Sequence, residues 1–352
     1  ESLTRDHIEF RYIMFYNEQY VPVGVAVVQL LHFTNREINV EDLYDRFGHL
    51  IPERKLSELD VKIMLCGNAF CTGEHGFLFC KSISDKVAKL NLSRALHRLK
   101  RDEKKANKGV SAIMLKDFWP SSFDKIEVLK HEDYSEFMID VNMVVSIHDN
   151  WLSYDDYLND MITKFRTKVK GIYKKSAAVS GKQLSADEIK QNGARIDELY
   201  HNVLDKADYR FGELNSTTFY KFANKLPEDF VFMGYFIDDK LVGFSSSFKG
   251  GVVFDANFVG IDYAFNHDYA IYQRMLCDLV KLSIEAGVKE LRFGRTAEQM
   301  KSCFGAEPVE MKLLVKHRNA ITNKLLKHLI HHISPNKFEI RRPFKAVIYE
   351  QA

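Results

Sequence analysis

No run of apolar residues in this chain approaches the roughly 18 needed to cross a bilayer, so an integral membrane segment is not expected. Net charge is almost as scarce, with 50 lysines and arginines against 48 acids for a formal +2. Without a global positive field the chain is not a dedicated nucleic-acid binder, and any anion site must be local. Cysteine is sparse too: there are five, an odd number, and Cys66, Cys71 and Cys80 lack the paired CxxC spacing of zinc sites. Reduced thiols in a cytoplasmic protein are the expectation, with no metal. No signal peptide is visible, while a first residue of Glu1 rather than Met leaves an upstream targeting segment open.

What is present reads as a soluble globular protein whose 352 residues suit two domains. The opening "FRYIMFYNEQYVPVGVAVVQLLHF" is two apolar, β-branched and aromatic runs around a polar turn at Asn17 and Glu18, a hairpin pattern. A strand at "VKIMLCG", a glycine-bearing loop over 67–76, a helix over 84–105 and a strand at "VSAIMLKDF" follow. Ser153 is placed to cap a helix whose apolar positions Tyr157, Met161 and Phe165 recur at helical spacing. The second half repeats the plan: a hairpin around Asp238 and Asp239, a strand at "GVVFDANFVGID", a helix ending at Gly287, and a strand at "VKELRFG". In "LRFGRTAEQMKSCFGAEP", Thr296 and Gln299 have capping-box spacing for a further helix that Gly305 and Pro308 end, and "VEMKLLVKH" closes as a strand. The expected class is α/β (α+β), one mixed, mostly antiparallel sheet flanked by helices in each half, with the halves divided at 1–145 and 146–352.

This order, centred on "YQRMLCDLVKLSIEAGVKELRFGRTAEQMKSCFGAEP", resembles the acetyltransferase-like domain of the GNAT superfamily, closest to the branch related to FemA/FemB peptidyltransferases and to bacterial GNAT-like proteins. In such tandem GNAT-like proteins a degenerate half precedes a better-preserved one, and "YLNDMITKFRTKVKGIYKKS" looks like their linker helix. The resemblance implies acyl transfer by direct attack from an acyl-CoA thioester to an amine or hydroxyl. In the Fem branch it implies transfer from an aminoacyl-tRNA to a cell-wall precursor. A non-catalytic binding protein on the same fold is the rival. One departure is visible: GNAT enzymes cradle the coenzyme A pyrophosphate with an Arg/Gln-x-x-Gly-x-Gly/Ala turn, and here that position reads "IDYAFNHDYAIYQ". Against the Fem reading, residues 184–209 offer one helix where a long helical arm is the family pattern.

That turn still has the makings of an anion site, because a helix start carries unpaired N–H groups. His267, Asp268, Tyr269 and Arg274 are its cofactor-binding candidates and Tyr272 adds a phenol, although Asp268 opposes an anion and the tyrosines equally suit packing. Asp255 and Asn257, two apart on one strand, and Asp262 shortly after are candidates for the base and donors of acyl transfer. Arg295 directly follows a strand end, where its fork suits a carboxylate or phosphate and Lys301 is near enough to share it; the alternative is an ion pair of Arg295 with Glu298 or Asp262. In "CGNAFCTGEHGF", Asn68, Thr72, Glu74 and His75 sit among three glycines after a strand, as a substrate loop or a plain connection. Cys277 and Cys303 have helical positions and no activating motif, which favours packing. The six basic residues of "KFRTKVKGIYKK" read as a solvated face or an edge for tRNA phosphates. In "AITNKLLKHLIHHIS", Ile321, Leu325, Leu329 and Ile333 share one face, which suits docking on the domain or on an anionic membrane; His328 and His332 lack a third metal ligand. Acceptor identity, acyl length and oligomeric state have no sequence signature.

Overall fold

The computed structural model describes residues 8–34, 60–206, 213–330 and 338–350. Its first sheet begins with the hairpin: β1 (Ile8–Tyr16) and β2 (Pro22–Thr34) are antiparallel, with Tyr12 opposite Val27 and Met14 opposite Val25. Then come β3 (Asp60–Cys66), the short β4 (Phe77–Phe79) and α1 (Asp85–Lys105). Ser84 caps α1 by accepting the Val87 N–H, and Ala88, Leu92 and Leu96 recur four apart to make its buried face. Next are β5 (Ala112–Phe118), α2 (Phe123–Lys130) and β6 (Ser135–Phe137).

The chain then enters the second sheet with β7 (Val141–Ser146), followed by α3 (Tyr154–Asp160) and α4 (Thr163–Lys175). Ser153 caps α3 through a full capping box with Asp156. The single helix expected through Tyr157, Met161 and Phe165 is broken: Met161 is extended, fully buried and bridged to Phe344, and the Ile162 N–H bonds Pro343 O. Packing against the C-terminal segment thus overrides the helical spacing. After β8 (Val179–Gln183) come α5 (Ala186–Gln191), α6 (Gly193–Leu204) and α7 (Ser216–Lys225), so where one helix was expected over 184–209, its described part, 184–206, holds two. The second hairpin is β9 (Phe230–Ile237) and β10 (Lys240–Gly250), followed by β11 (Val253–Ile261), α8 (Tyr263–Tyr269), α9 (Ile271–Glu285), β12 (Glu290–Arg292), α10 (Glu298–Ser302), β13 (Glu307–Glu310), β14 (Lys312–His317), α11 (Ala320–Ile330) and α12 (Ala346–Glu350).

Among the described residues each sheet has seven strands. The first runs β1-β2-β3-β5-β14-β6 with β4 on β2, the second β13-β7-β12-β11-β10-β9-β8, and only β3/β5 and β11/β12 are parallel. The halves exchange strands: β7 lies between β13 and β12, while β14 lies between β5 and β6. "VEMKLLVKH" is therefore not one strand but two, split at the fully buried Met311 and sent to different sheets. The capping box of Thr296 and Gln299 does not form; both Thr296 (φ 62°) and Ala297 (φ 52°) are left-handed, and α10 lacks a side-chain cap. On α11, Ile321 and Leu325 are exposed, and Leu326 and Ile330 pack on Ala112 and Val315 instead. Ile333 and His332 lie outside the described residues. Among the described residues no helix is long and apolar enough to cross a membrane, and no three His, Cys, Asp or Glu gather as a metal site.

Candidate functional site

A cavity of about 330 Å³ lies where the halves meet. The loop after β3 supplies Ala69, Phe70 and Thr72 from the first half; α6, β10, β11, α9, the turn after β12 and Lys301 of α10 supply the rest. Of the sequence candidates, Asp255, Asn257, Tyr272, Arg295 and Lys301 come together on its walls.

Strand β11 reaches the cavity through an irregularity. Ser245 pairs with Val259 but Ser247 with Ala256, so the register slips beside Asn257 and Phe258. Asn257 Nδ2 donates to Asp255 O at 2.8 Å, holding this bulge. Burial pushes the Asp255 carboxyl up to about 6, against a partial lowering by the Arg292 guanidinium. Tyr272, at the start of α9, is pushed up to about 12 by burial and is a neutral phenol at any physiological pH.

The turn after β12 forms the facing wall. Gly294 (φ 76°), Thr296 and Ala297 are all left-handed, a concentration of conformations that non-glycine residues avoid. Three contacts hold it. Asn142 Oδ1 accepts the Gly294 N–H at 3.1 Å, and Lys301 Nζ donates to the carbonyls of Gly294 (3.2 Å) and Arg295 (2.6 Å). Arg295 Nη2 pairs with the fully buried Asp117 at the end of β5, which also binds Lys116 and accepts the Gly73 N–H at 3.3 Å. The ion pair foreseen with Glu298 or Asp262 is thus made with Asp117 of the other half. Burial brings the Lys301 ammonium down to about 7, a trend Glu298 opposes.

The remaining candidates lie elsewhere. Asp262 caps α8 by accepting the Ala264 N–H, and it pairs with Arg195 at 2.5 Å and Lys240 at 3.3 Å. Burial would raise its carboxyl, but Arg195, the Ala264 N–H and Lys240 prevail and hold it low, so it is no base. Arg274 is spent on Asp278 at 2.9 and 3.0 Å, Ser176 and the Tyr173 ring, and its cofactor role is not supported by position. His267 and Asp268 pair with each other at the surface, 2.9 Å apart, while Tyr269 packs beside Phe265. Asn68 accepts the Phe70 N–H, Glu74 the Trp119 N–H, and His75 meets Thr72 O, so these three shape their loop and leave the cavity wall to its neighbours. Cys277 is fully buried with its thiol pushed up, and Cys303 is buried beside Lys168 Nζ, which suits packing.

Several cavity residues escaped the sequence reading. Ser245 and Ser246 line it, and their signal was three consecutive serines in an otherwise apolar strand. Tyr200 and Phe70 had no signal beyond their helix or loop, whereas Thr72, read with the glycine-bearing loop, does reach the wall. Asp117 and Asn142, which hold the turn behind the wall, drew no reading from the sequence.

No family model matches the sequence, and no curated protein does. Solved structures do match in fold. FemX superposes with a TM-score of 0.56 at 12% identity over 93% of this chain and 92% of its own. L-PGS from Bacillus licheniformis gives 0.50 at 10% over 91% and 89%, and a conserved protein of unknown function from Bacteroides thetaiotaomicron VPI-5482 gives 0.51 at 9% over 88% and 86%. With two mixed sheets in tandem and likeness to FemX along nearly the whole length of both chains, this protein has a GNAT-like fold related to that of the Fem proteins.

Proposed function

We propose that the protein is an acyl-group transferase that works in the cavity between its halves, with Asp255 as the base. The observation that carries this reading is the Asp255 carboxylate, which lines a cavity built by both halves and has no hydrogen bond or ion pair among the described residues. A base of pKa near 6 is largely ionised at neutral pH and still basic enough to take a proton. An acceptor amine attacks the donor carbonyl, the C–N bond forms as the ester C–O bond breaks, and the amine proton passes to Asp255 and from it to the departing oxygen, which leaves as an alcohol. Tyr272 and Thr296 line the same space as hydroxyl donors for the developing charge.

Coenzyme A fits poorly. Its pyrophosphate would need the free N–H groups at the start of α9, where Asn266 Oδ1 already accepts the Tyr272 N–H at 2.9 Å and the exposed Asp268 adds negative charge. An aminoacyl ester, as on a charged tRNA, needs no such turn, and the likeness to FemX agrees with it. We accordingly assign an aminoacyl donor, a cytoplasmic setting, and an amine acceptor of the small-molecule or cell-wall-precursor kind. The test is donor consumption: radiolabelled charged tRNA, acetyl-CoA and a longer acyl-CoA are each incubated with the protein and a panel of amines. Aminoacyl transfer should appear and drop about 100-fold or more in Asp255→Asn. Turnover of acyl-CoA alone would overturn the donor assignment, a rise in melting temperature with a donor but no turnover would leave a binding protein, and neither turnover nor a rise with any donor would overturn the transferase reading.

A further inference from the structure

The cavity does not use the opposite edge of the first sheet, where β1 and α1 enclose a groove of about 860 Å³. One wall is a strand edge: β1 ends the sheet, with β2 as its only strand partner among the described residues. Val27, opposite Tyr12, sends its N–H to Gly76 O at 2.8 Å and receives the Gly67 N–H at 3.3 Å, so it faces away from β1. By the alternation of an antiparallel pair, Met14, two residues along from Tyr12, turns its N–H and C=O to the outer side. The other wall is a row of cations. Arg94, Arg98 and Arg101 stand at i, i+4 and i+7 on α1, all exposed and none in an ion pair among the described residues. The lining has one carboxylate, Asp102, which lies 3.9 Å from Lys105. Between the walls the floor is apolar, with Ile13, Phe15, Phe79 and Leu99.

We propose that this groove docks an extended acidic segment of a partner protein, which adds to β1 as a further strand. A strand edge offers main-chain hydrogen bonds that another peptide backbone satisfies. In such a strand alternate side chains point the same way about 7 Å apart, and the three arginines span about 10 Å of helix, enough to meet two acidic side chains while apolar residues on the other side meet the floor. A polynucleotide would use the arginines but not the strand edge, and the chain's near-neutral charge argues against it. A second copy is the poorer match, because its β1 would bring Glu9 already paired to Arg11 and Lys108.

The probe is a fluorescein-labelled decapeptide of alternating Glu and Thr, followed by anisotropy against the full chain, with three controls: the Lys/Thr counterpart, a version N-methylated at every second residue, and the R94E/R98E variant. The Glu/Thr peptide should bind, and its affinity should fall by about tenfold or more on charge reversal and by a similar factor on N-methylation, which removes the pairing N–H groups. Melting curves check that the variant, whose changes are both on exposed side chains, stays folded. Absence of binding overturns the proposal, as does binding indifferent to either control. It is equally overturned if single-stranded oligoadenylate or phosphatidylglycerol vesicles bind through the same arginines while the peptide does not, or if gel filtration shows a dimer that R94E/R98E dissolves.

Discussion

Asp255 links the proposed chemistry to a cost in stability that can be measured. Its carboxyl moves from 3.8 to about 6 on folding, chiefly by burial. The native chain therefore keeps a proton that the unfolded chain releases within that window, so this residue lowers stability as pH rises through it, and the penalty persists above it. Asp255→Asn should accordingly stabilise the chain at pH 8 by on the order of 3 kcal/mol, seen as a higher melting temperature, and change little near pH 4, while transfer falls. Thermal melts of both proteins at the two pH values check this; a variant less stable at pH 8 would show that the carboxylate has partners holding it charged. Arg295 gives the opposite sign. Its removal would leave Asp117, which is fully buried, with Lys116 as its remaining ion-pair partner. Arg295→Ala should cost about 3 kcal/mol, whereas an arginine kept only to anchor substrate would leave stability unchanged. A double-mutant cycle with Asp117→Asn measures the pair directly. The sequence showed that Arg295 sits at a charged strand end, but its partner is 178 positions away, and no local pattern encodes a contact between halves.

The elements were more legible than the site because their signals are local. The two hairpins, the helix α1 and the cap at Ser153 follow from alternation, helical spacing and a hydroxyl cap over a few residues. The capping box is testable by itself: Ser153→Ala should cost about 1 kcal/mol, read by chemical denaturation, with no effect on turnover because α3 does not line the cavity. The elements misread are those that distant packing decides. Met161 has helical spacing yet is drawn into a bridge with Phe344, and Thr296 has capping-box spacing yet lies left-handed because Lys301 and Asn142 hold the turn around it. Such strain in a turn held by three separate contacts accords with its place on the cavity wall. The site was half visible for the same reason: Asp255, Asn257 and Tyr272 follow from strand and helix starts in the second half, while Phe70 enters only through the meeting of the halves.

At the scale of the whole molecule, the exchanged strands make the halves depend on each other. β7 precedes the linker helix yet is an interior strand of the second sheet, paired with both β13 and β12, and β14 is an interior strand of the first, paired with β5 and β6. A fragment of residues 147–352 would lack β7, exposing the edges of β12 and β13 and the faces covered by the fully buried Met143 and Val145. Losing buried side chains of that kind costs about 2–5 kcal/mol each, comparable with the total stability of an ordinary domain. Neither 1–146 nor 147–352 should therefore fold alone, whereas the two co-expressed fragments should associate, restore both sheets and regain the cavity between them. The intact chain should melt in a single cooperative transition seen identically by near-UV and far-UV dichroism. Two separated transitions, or a 147–352 fragment with native near-UV signal by itself, would show that the strand exchange is energetically minor and that the cavity is held together by the loop contacts of Asp117 and Arg295 alone.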